Sequence, residues 1–90
     1  MKFDMGTLVV TSGVDGKMQD SDEFAEKVRG AIIRHSTGDW GDLCDEDREE
    51  NERSLREGDR LMSVYNTQPV VWVITEWDRS VTTVLFPEEY

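Results

Sequence analysis

The chain has 90 residues, with 20 Asp+Glu against 10 Lys+Arg and a formal net charge of −10. That length fits a single domain, 1–90, around one small core. The charge argues against direct binding to DNA, RNA or an anionic membrane, because phosphate is repelled, and favours a partner with a basic surface.

Hydrophobic residues make up 37% of the chain and include three tryptophans, too many for a disordered segment. Cys44 is the single cysteine. No internal disulfide can form, and the expected setting is the reducing cytoplasm. The opening MKFDMGTLVVTSG lacks the long apolar run of a signal peptide, and no apolar run reaches membrane-spanning length.

Taken in chain order, Lys2 to Thr11 reads as a strand, with β-branched residues toward its end and Gly6 as a bulge or bend. Ser12-Gly13 and Asp15-Gly16 are turn dipeptides, so Ser12 to Asp20 reads as a loop and the expected mobile segment. Asp20 or Ser21 can cap a helix, with Glu23 at capping-box spacing from Asp20. Phe24, Val28, Ala31, Ile32 and His35 then share one helical face, and the helix ends near His35.

The second helix is predicted over Asp45 to Glu57. Asp42 or Asp45 can cap it, acids fill its first turn, and Gly58 fits the stop. Glu49–Arg53 and Glu52–Arg56 stand at i,i+4, the spacing of helical ion pairs. Its apolar face is thin (Leu43, Cys44, Asn51, Leu55), which places it on a surface. Leu61–Tyr65, Val70–Thr75 and Val81–Phe86 are three strands joined by short links, the pattern of antiparallel hairpins. The middle strand is apolar on both faces, so both faces should be covered. The order β-α-α-β-β-β predicts an α+β fold: an antiparallel meander of three C-terminal strands plus an N-terminal strand, with two helices packed on one face. Whether the first strand pairs parallel or antiparallel is open.

Half of the acid lies between Asp39 and Asp59. Ten carboxylates there face three arginines, a local charge of −7. Caps, pairing distances and a stop signal make this a helix that holds charge in place.

Four motifs stand out: H-x-x-G-D-W-G-D-L from His35 to Leu43, R-L-x-S-x-Y from Arg60 to Tyr65, I-T-E-x-D-R-S-x-T-T from Ile74 to Thr83, and the ending P-E-E-Y. In these the chain resembles a group of short bacterial proteins that carry plasmid-related labels. The resemblance covers most of the chain apart from residues 12–33. It implies a bacterial mobile element and supplies no catalytic residues. Some members carry the label of a restriction-enzyme modification subunit. Such a subunit needs a large cofactor-binding domain, and 90 residues without a Gly-rich strand–turn–helix cannot provide one.

Four constellations remain. His35 with Asp39 and Asp42 offers ligand types for a divalent metal and a base, the basis of a metal-assisted hydrolase. A second histidine is lacking, and the other account of His35 is a cation at a helix end. Trp40, between Gly38 and Gly41, is either an anchor flanked by acids or a tryptophan packed between the helices. Trp77 lies on a hairpin turn and is a contact residue if exposed. Asp78 there suits turn chemistry, and Arg79 a carboxylate partner. Cys44 has no evident base for thiol catalysis beyond His35. The acidic helix is either a solvated face or an imitation of the charge spacing of a DNA backbone.

The sequence therefore predicts a non-enzymatic interaction protein without cofactor or metal, monomeric or weakly dimeric. Its basic partner would be met by Asp39, Trp40, Asp42, Asp45, Glu46, Glu49, Glu50 and Trp77. The alternatives are the metal-assisted hydrolase and a small regulatory or assembly module that pairs through an exposed strand edge.

Overall fold

The computed structural model describes all 90 residues. It contains β1 (Thr7–Val10), α1 (Ser12–Asp20), α2 (Asp22–Ser36), α3 (Asp45–Glu57), β2 (Leu61–Tyr65), β3 (Val71–Thr75), β4 (Val81–Leu85) and a 3-10 turn, Pro87–Glu89. The class is α+β. The sheet order is β1-β4-β3-β2. The three C-terminal strands form the antiparallel meander, and β1 joins it parallel to β4, so the whole sheet is mixed.

Side-chain alternation explains the layering. The register aligns Ser63 with Val73 and Val73 with Val84. Tyr65, Val71, Val73 and Val84 thus share a face, and they form one core with Val14, Phe24, Val28 and Ala31. The pair of helices on that face is α1 and α2. α3 instead straddles the free side of β2. The opposite face carries Ile74 and Leu85, which are buried, and Met62, Val64 and Trp72, which are half-buried. No α-helix layer matches α1 and α2 there; Tyr90 sets its ring edge-on to Trp72, centroids 5.4 Å apart. Full coverage by other elements, expected for both faces of the middle strand, is met on one.

Two expectations near the N-terminus need correction. The first strand is shorter than Lys2–Thr11, spanning Thr7–Val10. Gly6 has φ +64, and its chain bends away from the ladder there. Ser12–Asp20 is a helix and not a loop. The Thr11 hydroxyl accepts from the Val14 N–H (3.3 Å), and Val14 is fully buried with Met18 packed against the same core. Burial of that single apolar stripe outweighs the low propensity of Gly13 and Gly16, which costs about 1 kcal/mol each.

The other helices follow their signals more closely. Ser21 caps α2, accepting from the Phe24 N–H (3.1 Å). α3 spans the predicted residues and ends at Gly58, φ +77, a left-handed stop that glycine adopts without strain. Its N-cap is Cys44, with no side-chain cap bond, so neither Asp42 nor Asp45 serves. The acids Asp45, Glu46 and Asp47 in the first turn offset the helix dipole instead.

Candidate functional site

The loop before α3 is held from beneath by aromatic packing. Trp40 is 2% exposed. Phe3 stacks on it at 6.1 Å, and His35 meets it edge-on at 5.7 Å. Its indole N–H donates to Glu52 Oε2 (2.6 Å), which fastens the loop to α3. Trp40 is therefore not an anchor for a partner. A small domain gains more from burying an indole than from displaying it.

Asp39 and Asp42 are also inward-working groups. Asp39 accepts from Arg34 Nε (2.7 Å) and Nη2 (3.2 Å), and from the Gly41 N–H (3.1 Å). The Arg34 hydrogen bond holds its carboxyl below the usual aspartate range. Asp42 accepts from the Asn66 N–H (2.9 Å), fixing the loop to the end of β2. Both carboxylates are exposed yet committed to turns.

His35, on the last turn of α2, is fully buried against the sheet. Its Nδ1 shares a hydrogen bond with Ser63 Oγ (2.5 Å) and its Nε2 one with Thr75 Oγ1 (2.9 Å). Thr75 Oγ1 bonds Thr82 Oγ1 (2.7 Å), and the Thr82 hydroxyl donates to the Met5 carbonyl (2.6 Å). That last acceptor carries no proton, so the order of the chain follows. Thr82 gives its proton to Met5, Thr75 gives its own to Thr82, and His35 Nε2–H must give to Thr75. Nδ1 then accepts from Ser63. The imidazole is neutral, with its pKa lowered to about 4 by burial and by the nearby Arg79 charge. Both ring nitrogens are occupied, and Asp39 and Asp42 turn away to Arg34 and Asn66. The structure does not bring the three hydrolase residues together, and no group of three His, Cys, Asp or Glu side chains converges anywhere in it. Cys44 is free and exposed.

The acidic helix differs from its predicted pairing. Arg53 bonds Glu50 and reaches Glu57 (3.4 Å), not Glu49. Glu52 goes to Trp40 rather than to Arg56. Arg48 folds back, donating from Nε to the Leu43 carbonyl (3.0 Å) and from Nη2 to the Gly41 carbonyl. At about 100° per residue, Asp45, Glu46 and Glu49 therefore share the outer side of the first two turns with no arginine among them. All three are exposed, and none belongs to an ion pair. Glu50 flanks them, paired with Arg53. Inward, Asn51 and Ser54 are buried. A groove of about 260 Å³ runs between this helix and β2, floored by Leu43 and Met62.

Trp77 stands at the β3–β4 turn and is 67% exposed. The turn is built as sequence chemistry suggests, with Asp78 Oδ1 accepting from the Ser80 N–H (3.1 Å) and hydroxyl (2.6 Å). Arg79 does not pair with a carboxylate. It donates to the carbonyls of Asp59 (2.7 Å), Glu76 (3.1 Å) and Ser54 (3.4 Å), which ties the turn to the C-terminal end of α3. The turn that carries Trp77 thus adjoins the C-terminal end of the acidic helix. Composition alone shows neither that link nor the inward turn of Arg48, because both depend on which backbone carbonyls lie free.

No family model, curated protein or solved structure matches the chain.

Proposed function

We propose that this chain is a non-enzymatic, acidic interaction protein of a bacterial mobile element, which binds a basic protein surface through the outer side of α3. The nucleic-acid-binding groove of a host nuclease or defence protein, where the helix would compete with DNA or RNA, is the sharpest form of that target. The observation that carries the reading is the row Asp45, Glu46 and Glu49, exposed and unpaired on a helix that is itself fixed to the sheet. Carboxylates on a fixed backbone cost only side-chain ordering on binding, so less of their attraction to a basic groove is lost than from a flexible segment. Exposed Trp77, on the turn tied to the C-terminal end of α3, offers an apolar contact at the rim. The mobile-element setting rests on the motifs around Trp40 and Trp77.

The test is retention of lysate proteins on the immobilised chain at about 50 mM and about 300 mM salt, where screening separates electrostatic from apolar binding. Basic nucleic-acid-binding proteins should be held at low salt, released at high salt, and lost from a variant carrying Glu46→Lys, Glu49→Lys and Glu50→Lys. Binding that ignores both salt and charge reversal would overturn the proposal, as would retention of no specific protein.

A further inference from the structure

The two edges of the sheet are treated differently. On β2, every outward backbone group near the middle is occupied. Asn51 bonds both the N–H and the carbonyl of Met62, and Val64 bonds Trp40 and Asp42 across the loop. On β1, nothing closes the edge. Thr7 and Thr11 donate inward to Ser80 and Val84 (3.0 and 3.1 Å). Alternation along a parallel ladder then turns the N–H and carbonyl of Leu8 and Val10 outward. The flanking side chains Leu8 (48% exposed) and Val9 (41% exposed) are apolar. No charge occurs from Thr7 to Val14, and the strand has no proline. Of the usual guards against edge pairing, lysine, proline and a covering loop are absent here, and only the four-residue length of the strand remains.

We propose that β1 is a homodimerisation edge, at which two copies pair antiparallel about a twofold axis through Val9. The outward groups are self-complementary in that register. Leu8 exchanges two hydrogen bonds with Val10 of the second copy, and Val10 exchanges two with Leu8, while the two Val9 side chains meet in the non-bonded pair between them. A second copy also suits the charge distribution. α3 lies at the far edge, so the joined sheet separates the two acidic helices by seven strand spacings, roughly 34 Å at about 4.8 Å each. That is several screening lengths at physiological salt, where the Debye length is about 8 Å. Pairing at β2 would instead place them side by side. The dimer therefore leaves the outer side of α3 open at both ends. Four hydrogen bonds and six apolar side chains, three from each copy, make a small interface, so association is weak, in the micromolar to millimolar range.

Sedimentation of the whole chain across that range tests the idea. A monomer–dimer equilibrium that tightens with added salt is expected, because salt screens two like-charged bodies. Val9→Lys, at an exposed position, should leave a monomer with an unchanged melting curve. A cysteine pair fixes the register independently. In a Cys44→Ser background, Val9→Cys places two thiols across the axis with Cα atoms about 4.5 Å apart, within disulfide reach. Leu8→Cys sets them diagonally at roughly 7–8 Å, outside it. In a glutathione redox buffer, Val9→Cys should accumulate covalent dimer at least tenfold beyond Leu8→Cys. Equal cross-linking of the two variants, or a strictly monomeric chain throughout, would overturn the proposal. Neither result bears on the α3 reading, whose salt dependence has the opposite sign.

Discussion

Asn51 acts toward Met62 as a missing strand would. Its Nδ2 donates to the Met62 carbonyl, and its Oδ1 accepts from the Met62 N–H (3.1 Å). One side-chain amide thereby supplies the pair of bonds that a neighbouring residue in a ladder would make, and it stands where a helix, not a strand, borders the sheet. Asn51→Ala leaves both backbone groups in a half-buried place without partners. The expected loss is about 1–3 kcal/mol, the cost of unsatisfied buried groups, read from urea unfolding. Hydrogen exchange at the Met62 amide should quicken in the same variant.

His35 makes stability depend on pH. Its pKa falls from an ordinary 6.5 to about 4 on folding, because burial and Arg79 disfavour the cation. The unfolded chain binds a proton that the folded chain refuses, so the contribution is full above pH 6.5 and is lost progressively as pH falls to about 4. Its size is about 3 kcal/mol, at roughly 1.4 kcal/mol per pKa unit. Unfolding midpoints in urea should fall across that window in the parent and change less in His35→Gln. The depressed carboxyl of Asp39 acts in the same direction at lower pH, its contribution disappearing as pH falls through the folded value.

The proton order around His35 gives a sharper check. Nitrogen-15 shifts of the imidazole at pH 7 should identify Nε2 as the protonated nitrogen. Thr82→Val removes the link to Met5 and frees Thr75 to reorient, so the shift pattern should move in that variant and not in Thr83→Val on the opposite face.

The three tryptophans sit in three environments. Trp40 is buried, Trp72 half-buried and Trp77 exposed. Trp77→Phe should remove most of the fluorescence that acrylamide quenches and leave stability within about 0.5 kcal/mol, as expected for an exposed side chain. Trp40→Phe should remove the blue-shifted component and cost about 1–3 kcal/mol, since Glu52 loses its partner.

Glycines at two positions should respond with opposite signs. Gly41 has φ +77, and a Cβ there would collide with the Val64 carbonyl oxygen, so Gly41→Ala should unfold the loop or the domain. Gly30 lies within α2 with nothing within 4 Å of an added Cβ. Gly30→Ala should therefore stabilise by about 0.5–1 kcal/mol, measured by thermal or urea unfolding.

The sequence made the C-terminal strands legible because alternation and turn residues agree there. α3 was legible within its exact span because acids, arginines and Gly58 mark its ends. α1 was not, since two glycines resemble turns and the deciding fact, burial of Val14 against a distant core, is tertiary. Site residues divided on the same line. Exposure of Asp45, Glu46 and Glu49 follows from helical charge patterning, whereas the commitment of Asp39 to Arg34 and of Trp40 to Glu52 depends on how the loop folds back. Asn51 had been counted with the thin apolar face of its helix; its amide is the reason that face meets the sheet.

The pairing of Thr7–Val10 with Val81–Val84 joins the first strand to the last. A ribosome delivers β1 well before β4, with three helices and two strands made between them. Leu8, Val9 and Val10 must wait, with both edges open, until β4 has emerged, and the core that seats α1 cannot close earlier. Premature release of a truncated chain would leave that apolar triplet without its strand, a ready template for aggregation. The domain thus closes only once β4 has been made, and deleting Val81–Leu85 should abolish the fold as a whole instead of trimming it.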